Sequence, residues 1–138
     1  MDARDCICFH LKKAARAAAR AYDDALAPAG LRNTQFALLA LLDGYGALPV
    51  SRLAELAVME RTTLTRNLTP LERQKLVASG PGEDRRQRIV RLTAKGRKKL
   101  AEAQPLWRRA QKQQVERLGA TRKDRLLADL RFAAEGKA

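Results

Sequence analysis

Residues 51–77, SRLAELAVMERTTLTRNLTPLERQKLV, form the segment that most limits how this 138-residue chain can fold. A short apolar helix pattern ends there in a tight polar bend, and a second helix pattern follows. Leucines at spacings of three and four residues give that second helix one buried face. They are Leu64, Leu68 and Leu71. Arg, Thr and Asn occupy the opposite face, so the segment predicts two helices joined by a turn, with a polar face exposed on the second.

The rest of the chain predicts a mostly helical domain with an aliphatic core. Hydrophobic residues make up 46% of the sequence and aromatic residues only 4%, so the core must be built on leucine and alanine. The length is that of one domain. Helices are expected at residues 5–27, 34–43, 52–57, 61–76, 93–118 and 122–134.

Polar caps and prolines define the expected helix ends. The expected N-caps are Thr34 or Asn33 for the second helix, Thr93 for the fifth and Thr121 for the last. Two prolines lie inside predicted helices, Pro70 in the fourth and Pro105 in the fifth. Because proline removes a backbone hydrogen bond, we expect a kink in the fourth helix and a bend or a break in the fifth.

Two short β-like runs flank a turn-rich segment. KLVAS (75–79) and RIVRLT (88–93) surround SGPGEDRR (79–86), which contains two glycines, a proline and charged residues. The pattern predicts an antiparallel hairpin with a charged tip. LPV (48–50) is a further candidate for a short strand.

The net charge of +13 is confined to one part of the chain. Residues 1–60 contain seven Lys/Arg and seven Asp/Glu, whereas residues 61–138 contain 21 Lys/Arg and eight Asp/Glu. Charged faces are often only solvated, but an excess this one-sided favours a polyanionic partner. Nucleic acid is favoured over a membrane surface.

Helix, turn, helix and basic hairpin, in that order, predict a winged helix-turn-helix. The second helix of such a motif lies in the major groove of double-stranded DNA, where Arg pairs with guanine, Asn pairs with adenine, and Thr offers a hydroxyl and a methyl group. Arginines on the hairpin can enter a narrow minor groove. The candidate DNA-binding residues are Arg61, Thr62, Thr63, Thr65, Arg66, Asn67 and Thr69 on the helix and Arg85, Arg86 and Arg88 on the hairpin. Asp84 is expected to hold a neighbouring arginine in place.

The sequence AELAVMERTTLTRNLTPLERQKLV…DRRQRIVRLTAKGRKKL resembles MarR-family transcriptional regulators, over essentially the whole chain. The resemblance implies a homodimer with intertwined terminal helices that binds a pseudo-palindromic operator, often as a repressor. It also implies release of DNA when a small aromatic effector or an oxidant acts. The implied organisation is an N-terminal dimerisation helix (1–30), a winged helix-turn-helix lobe (31–93) and C-terminal dimerisation helices (94–138).

The wing and the turn depart from the family pattern. The family's wing motif is roughly Asp-x-Arg-Asp-x-Arg; residues 84–86 (Asp-Arg-Arg) match its second half, whereas residues 81–83 (Pro-Gly-Glu) replace its first half. Arg86, and next Arg85, are therefore expected to reach the minor groove. Val58 stands in the turn of the helix-turn-helix, where family members often have glycine.

Two cysteines near the N-terminus, Cys6 and Cys8, leave three alternatives open. Cys8 precedes Phe, as the reactive cysteine does in the family's organic-peroxide sensors, but those sensors have Tyr four residues later and this chain has Lys12. Nearby lysines and a helix N-terminus favour a thiolate, so a redox switch through Cys8, with Cys6 as second candidate, is one hypothesis. The alternatives are packing in a dimer interface and a soft metal or metalloid site of Cys6, Cys8 and His10 that is shared between subunits.

Other classes of function are disfavoured by what the sequence lacks. It has one histidine, no Ser/His/Asp set, no phosphate-binding glycine loop and no catalytic metal cluster, so we expect neither an enzyme nor a cofactor. It has no secretory signal and no run of about 20 apolar residues, which predicts a cytoplasmic protein without a membrane partner. The main alternative is a nonspecific nucleic-acid binder, which needs Lys and Arg but not Thr and Asn at groove-facing positions.

Overall fold

The computed structural model describes residues 2–135 and confirms a mostly helical fold with one small sheet. Its elements are α1 (Ile7–Leu26), α2 (Asn33–Tyr45), β1 (Leu48–Pro49), α3 (Val50–Ala57), α4 (Arg61–Arg73), β2 (Val77–Pro81), β3 (Arg88–Leu92), α5 (Ala94–Leu118) and α6 (Ala120–Ala134). A 3-10 turn, Ala27–Ala29, follows α1. The first residue of the expected segment 1–30, and residues 136–138 of the expected segment 94–138, lie outside the described residues.

The central helix of the core is α2, which contacts α1, α3, α4, α5 and β3. Of its apolar side chains, Phe36, Leu38, Leu39 and Leu42 are at most 7% exposed, whereas Leu41 is partly buried. Burying a leucine side chain contributes about 1.5–3 kcal/mol relative to exposing it, so these apolar side chains make a large contribution to the stability of the fold. Within residues 2–135, no helix has both the length and the apolar character needed to cross a bilayer.

The predicted hairpin is present and is extended by β1 into a three-stranded antiparallel sheet in the order β1-β3-β2. In the β2–β3 ladder, Val77 lies opposite Leu92 and Pro81 lies opposite Arg88. The strand expected at residues 48–50 is shorter, because Val50 already begins α3. The ladder projects the tip, residues 82–87, away from the core.

Two of the three expected helix caps are wrong. The second helix begins at Asn33, because Asp23 of α1 accepts hydrogen bonds from both the backbone N–H and the side-chain amide of Asn33, each at 2.7 Å. Neither Asn33 nor Thr34 is therefore the N-cap. The last helix begins directly after Gly119, whose φ of 82° sets the bend, so Thr121 lies inside the first turn.

Other helix ends differ from expectation for backbone reasons. The fourth helix ends at Arg73 and not at residue 76, because Lys75 adopts the left-handed conformation with φ 60°. The N–H of Leu76 then donates to the Leu71 carbonyl oxygen at 2.9 Å, which satisfies the helix end. The fifth helix is continuous across Pro105, so the expected alternative of a break is wrong.

Thr93 caps α5 as expected, and it also joins that helix to the end of α4. Its Oγ accepts from the Gly96 N–H at 3.0 Å and donates to the carbonyl oxygens of Lys75 and Leu76, at 2.6 and 3.0 Å. The Thr93 N–H donates to the same Leu76 carbonyl oxygen at 3.1 Å. Gly96 is buried against this junction, where a Cβ would overlap the Leu76 carbonyl oxygen and lie 2.7 Å from Leu92 Cδ1. The lobe and the long helix α5 are therefore rigidly connected at one point.

We expect Gly96→Ala to lower the free energy of unfolding by about 3 kcal/mol, because the added methyl group meets backbone that cannot move aside. The measurement is urea denaturation at a fixed protein concentration. Gly44→Ala is the matched control: a Cβ at Gly44, in the last turn of α2, has no atom within 4 Å. The control should be neutral or slightly stabilising, and equal losses in both variants would contradict the close contact at Gly96.

Candidate nucleic-acid interface

The structure places the predicted polar stripe of α4 on the surface. Leu64, Leu68 and Leu71 are at most 5% exposed, and they anchor the helix to the core. Arg61, Thr62, Thr63, Thr65 and Arg66 are exposed, whereas Asn67 and Thr69 are partly buried. The two faces of α4 are thus arranged as the leucine spacing predicted.

Two threonines of the stripe use their hydroxyl hydrogens within the helix. Thr65 Oγ donates to the Arg61 carbonyl oxygen at 3.0 Å, and Thr69 Oγ donates to the Thr65 carbonyl oxygen at 2.9 Å. Each side chain then presents oxygen lone pairs and a methyl group to the outside. These groups suit an amino group of adenine or cytosine, or the thymine methyl, better than an acceptor such as guanine O6.

Asn67 is largely engaged within the protein. Its Oδ1 accepts from Thr34 Oγ of α2 at 2.8 Å, and its Nδ2 donates to the Thr63 carbonyl oxygen at 2.9 Å. One Nδ2 hydrogen and one Oδ1 lone pair lie outside these two bonds, so this partly buried side chain keeps one donor and one acceptor for a further contact. The side chain holds α4 against α2, and this is a function that its sequence position did not reveal.

The wing tip carries Arg85 and Arg86, both exposed. Asp84 was expected to hold an arginine side chain, but its carboxylate accepts the backbone N–H of Arg86 at 3.0 Å, and its carbonyl oxygen accepts the N–H of Gln87 at 2.8 Å. Asp84 therefore shapes the turn and leaves the arginine side chains free to extend. Among the described residues, neither guanidinium at the tip is held by a hydrogen bond or an ion pair.

Arg88 lies at the base of the wing, away from the tip. Its guanidinium is bonded to Ser79 of β2 and to Glu72 of α4. It borders a groove of about 120 Å³ between α4 and the wing. The structure thus brings Arg88 together with Arg61, Thr65 and Thr69 of the helix stripe at one groove, and it gives Arg88 protein partners that the other two wing arginines lack.

The turn of the helix-turn-helix contains a strained residue. Val58 has φ 52° and ψ 49°, the left-handed conformation, and its side chain is 90% exposed. A β-branched side chain at positive φ is costly because its Cβ crowds the backbone. The glycine common in the family at this position would avoid that cost.

Val58→Gly should raise the free energy of unfolding by about 1 kcal/mol, because relief of the left-handed strain exceeds the extra chain entropy of glycine. Val58→Ala, which keeps a Cβ, should gain less. Urea denaturation of the three proteins measures both differences. A glycine variant no more stable than the alanine variant would show that the Val58 conformation carries no strain.

The structure leaves the alternatives for the N-terminal cysteines open. Cys6 is the N-cap residue of α1 without a side-chain cap bond, and Cys8 is exposed in the first turn. His10 Nε2 is within hydrogen-bond distance (2.8 Å) of the Arg4 carbonyl oxygen. Among residues 2–135, no three His, Cys, Asp or Glu side chains are grouped as metal ligands would be.

An aromatic cluster joins α1, α2 and α5, and nothing in the sequence beyond the apolar character of its members pointed to it. Phe36 stacks on Trp107 with 6.0 Å between ring centroids, and Tyr22 lies 6.4 Å from Trp107. The Tyr22 hydroxyl donates to Gln111 Oε1. Burial raises the pKa of Tyr22, so the phenol stays protonated and remains a donor at neutral pH. The cluster lies where the terminal helices meet the lobe.

This geometry is that of a winged helix-turn-helix protein, with an exposed recognition helix, a basic wing and long terminal helices. The chain belongs to the MarR family: the family model described as "MarR family" matches residues 31–87. The HTH-type transcriptional regulator YwoH of Bacillus subtilis is 30% identical over 92 residues, which is 67% of each protein.

Solved structures extend the similarity over nearly the whole chain. The transcriptional regulator MosR of M. tuberculosis, in complex with DNA, is 44% identical with a TM-score of 0.83, covering 95% of this chain and 97% of that one. The repressor CouR bound to a 23-mer DNA duplex is 30% identical with a TM-score of 0.86, covering 95% and 94%. CouR bound to p-coumaroyl-CoA is 27% identical with a TM-score of 0.88, covering 98% and 96%. The chain is thus similar to transcriptional regulators along its full described length.

Proposed function

We propose that this MarR-family regulator binds a pseudo-palindromic DNA site as a homodimer, with α4 in the major groove and the wing tip in the adjacent minor groove. The observation that carries the proposal is the exposed polar stripe of α4, which the buried Leu64, Leu68 and Leu71 hold in a fixed orientation, together with the exposed arginines of the wing tip. The DNA complexes of MosR and CouR support it.

The stripe favours sequence-specific binding over nonspecific binding. Arg61 and Arg66 are exposed and long enough to reach guanine edges, while Thr65 and Thr69 present acceptors and methyl groups. A protein that recognises only phosphate charge has no use for ordered threonine hydroxyls at these positions. Arg85 and Arg86 at the tip suit the negative potential of a narrow minor groove.

The homodimer accounts for apolar side chains that a single chain leaves exposed. α6 has no buried residue, and the N-terminal part of α1 is equally uncovered. The exposed apolar side chains on these helices are Ile7, Phe9, Leu11, Leu126, Leu127, Leu130 and Phe132. A second copy would cover them and place the two recognition helices about 34 Å apart, one turn of DNA.

Arg66→Ala tests base recognition. A duplex is first selected from a randomised pool by the wild-type protein, and affinities for it and for a scrambled duplex are measured by fluorescence anisotropy at about 150 mM salt. The variant should lose about 1–3 kcal/mol on the selected duplex and less on the scrambled one, because the lost contact is to a base.

Lys98→Ala is the control for general charge, because Lys98 is an exposed residue of α5 outside the stripe and the wing. It should alter the salt dependence slightly and leave the preference for the selected duplex unchanged. Equal losses for Arg66→Ala on both duplexes would refute base recognition. Failure of the wild type to enrich any motif would refute sequence-specific binding and favour the charge-only alternative.

Release of DNA is proposed to follow a small ligand or oxidation at the N-terminal helix, which makes the protein a repressor that a signal inactivates. The CouR complex with p-coumaroyl-CoA supports release by a small ligand. The cluster of Tyr22, Phe36 and Trp107 lies at the joint between lobe and terminal helices, where a bound aromatic group would change the lobe spacing. A ligand can drive release only if its affinity differs between the lobe spacing that binds DNA and the spacing that does not.

Cys8→Ser tests whether oxidation releases the protein from DNA. Organic peroxide should weaken binding of the wild type to the selected duplex, because the exposed Cys8 thiol is oxidised to the sulfenic acid while the peroxide is reduced to an alcohol. Cys8→Ser should bind equally well with and without peroxide, and Cys6→Ser measures any contribution of the second thiol. If peroxide leaves DNA binding of the wild type unchanged, both cysteines are assigned to packing, and a small ligand remains as the signal that releases DNA.

The proposed role requires no catalytic step, and the proposal includes none. A function exerted on chromosomal DNA places the protein in the cytoplasm. A role without catalysis and a cytoplasmic location are both supported by membership of a family of transcriptional regulators and by the surface described above.

A further inference from the structure

Three side chains from three elements meet at the base of the wing. Arg88 of β3 donates from Nε and Nη2 to Ser79 Oγ of β2, at 2.9 and 2.7 Å, and from Nη2 to the two carboxylate oxygens of Glu72 on α4, at 3.1 and 3.3 Å. Ser79 Oγ in turn donates to Glu72 Oε1 at 2.8 Å. This closed set of hydrogen bonds, the wing tether, joins both wing strands to the last turn of the recognition helix.

The strand register explains why Arg88 faces α4. Ser79 lies opposite Val90 and Pro81 opposite Arg88, so Arg88 is on the same face of the sheet as Ser79 and Val90. Val90 is fully buried, which means that this face is turned toward the core and α4. Arg91, one residue further along β3, is on the opposite face and exposed. The direction of Arg88 is therefore a consequence of pairing and not of an arbitrary side-chain conformation.

Charge gives the tether a second effect. Glu72 is the acidic residue in the groove between α4 and the wing, where the proposed function brings DNA phosphates. An unpaired carboxylate there would repel the phosphates, and Arg88 offsets it. The Arg88 and Glu72 side chains are 60% and 30% exposed, so the pair is screened by solvent and acts mainly through its geometry.

We propose that Arg88 is a positioning residue that fixes the wing relative to the recognition helix, and that it makes no phosphate contact of its own. The proposal rests on the proposed function, because it concerns how two DNA contacts are held in register. α4 and the wing tip must enter adjacent grooves together. A tether between them removes the cost of ordering the wing when DNA binds. The guanidinium donates from Nε and Nη2 to protein acceptors, so these donors are unavailable to DNA in the same arrangement and only Nη1 is left free.

The first test uses Arg88→Lys, Glu72→Gln and Ser79→Ala, with affinity for the selected duplex measured at several salt concentrations. Each variant removes part of the tether: lysine cannot make the forked set of bonds, glutamine offers one acceptor oxygen in place of two, and alanine removes the Ser79 hydroxyl. Each should weaken binding about five- to thirtyfold. The slope of log affinity against log salt should stay unchanged, because no phosphate contact is lost. Arg86→Gln, the tip control, should reduce that slope by about one.

A phosphate contact by Arg88 predicts the opposite pattern. Arg88→Lys, which keeps the charge, would then bind almost normally. Glu72→Gln, which frees Arg88, would bind more tightly. Either result overturns the proposal.

The second test needs no DNA and separates failure of the tether from failure of the proposed function. In the free protein, trypsin cleavage after Arg85 or Arg86 should be several times faster in Glu72→Gln and Ser79→Ala than in the wild type, because the wing is less restrained. Arg91→Gln is the matched control on the opposite face of β3 and should cleave at the wild-type rate. Unchanged cleavage in the tether variants would show that these bonds do not restrain the wing.

Discussion

Burial of one leucine stripe on α4 determines where the proposed DNA contacts of that helix lie. Leu64, Leu68 and Leu71 pack into the core around α2, and a helix has only one orientation that buries all three. The arginine and threonine side chains are exposed for that reason. Removing the leucines from water provides the energy, and exposing the opposite face is its geometric consequence. Function at this surface therefore depends on a packing interaction in which no functional residue takes part.

A second set of contacts fixes the orientation of α4 relative to the rest of the molecule. The turn after α4 passes through the left-handed Lys75, and its carbonyl groups are bonded to Thr93 at the start of α5. The close contact between Gly96 and the Leu76 backbone restricts movement at this turn. On the other side, Asn67 connects α4 to α2. The lobe thus moves as one body with α5, and a change in how α5 packs against a second copy would be transmitted to the recognition helix as a change of spacing.

The sequence allowed prediction of elements whose signals are local. Helical period, turn residues and alternation identified the two faces of α4 and the hairpin, because each depends on neighbours within a few positions. Contacts between segments that are far apart in the sequence could not be predicted in this way. The strand register determines which face of β3 carries Arg88, and the docking of α4 brings Glu72 to that side chain. Asn67 is likewise paired with Thr34, and Thr121 lost its expected capping role because Gly119 bends the chain first.

The central claim, that α4 and the wing occupy adjacent grooves on a two-fold site, is tested most directly by methylation interference on the selected duplex. Methylation of guanine N7 blocks the major groove, and methylation of adenine N3 blocks the minor groove. The account predicts N7 interference in two patches with centres about 10 bp apart, with N3 interference in the minor groove beside each patch. N7 methylation without effect, or interference at a single patch only, would contradict it.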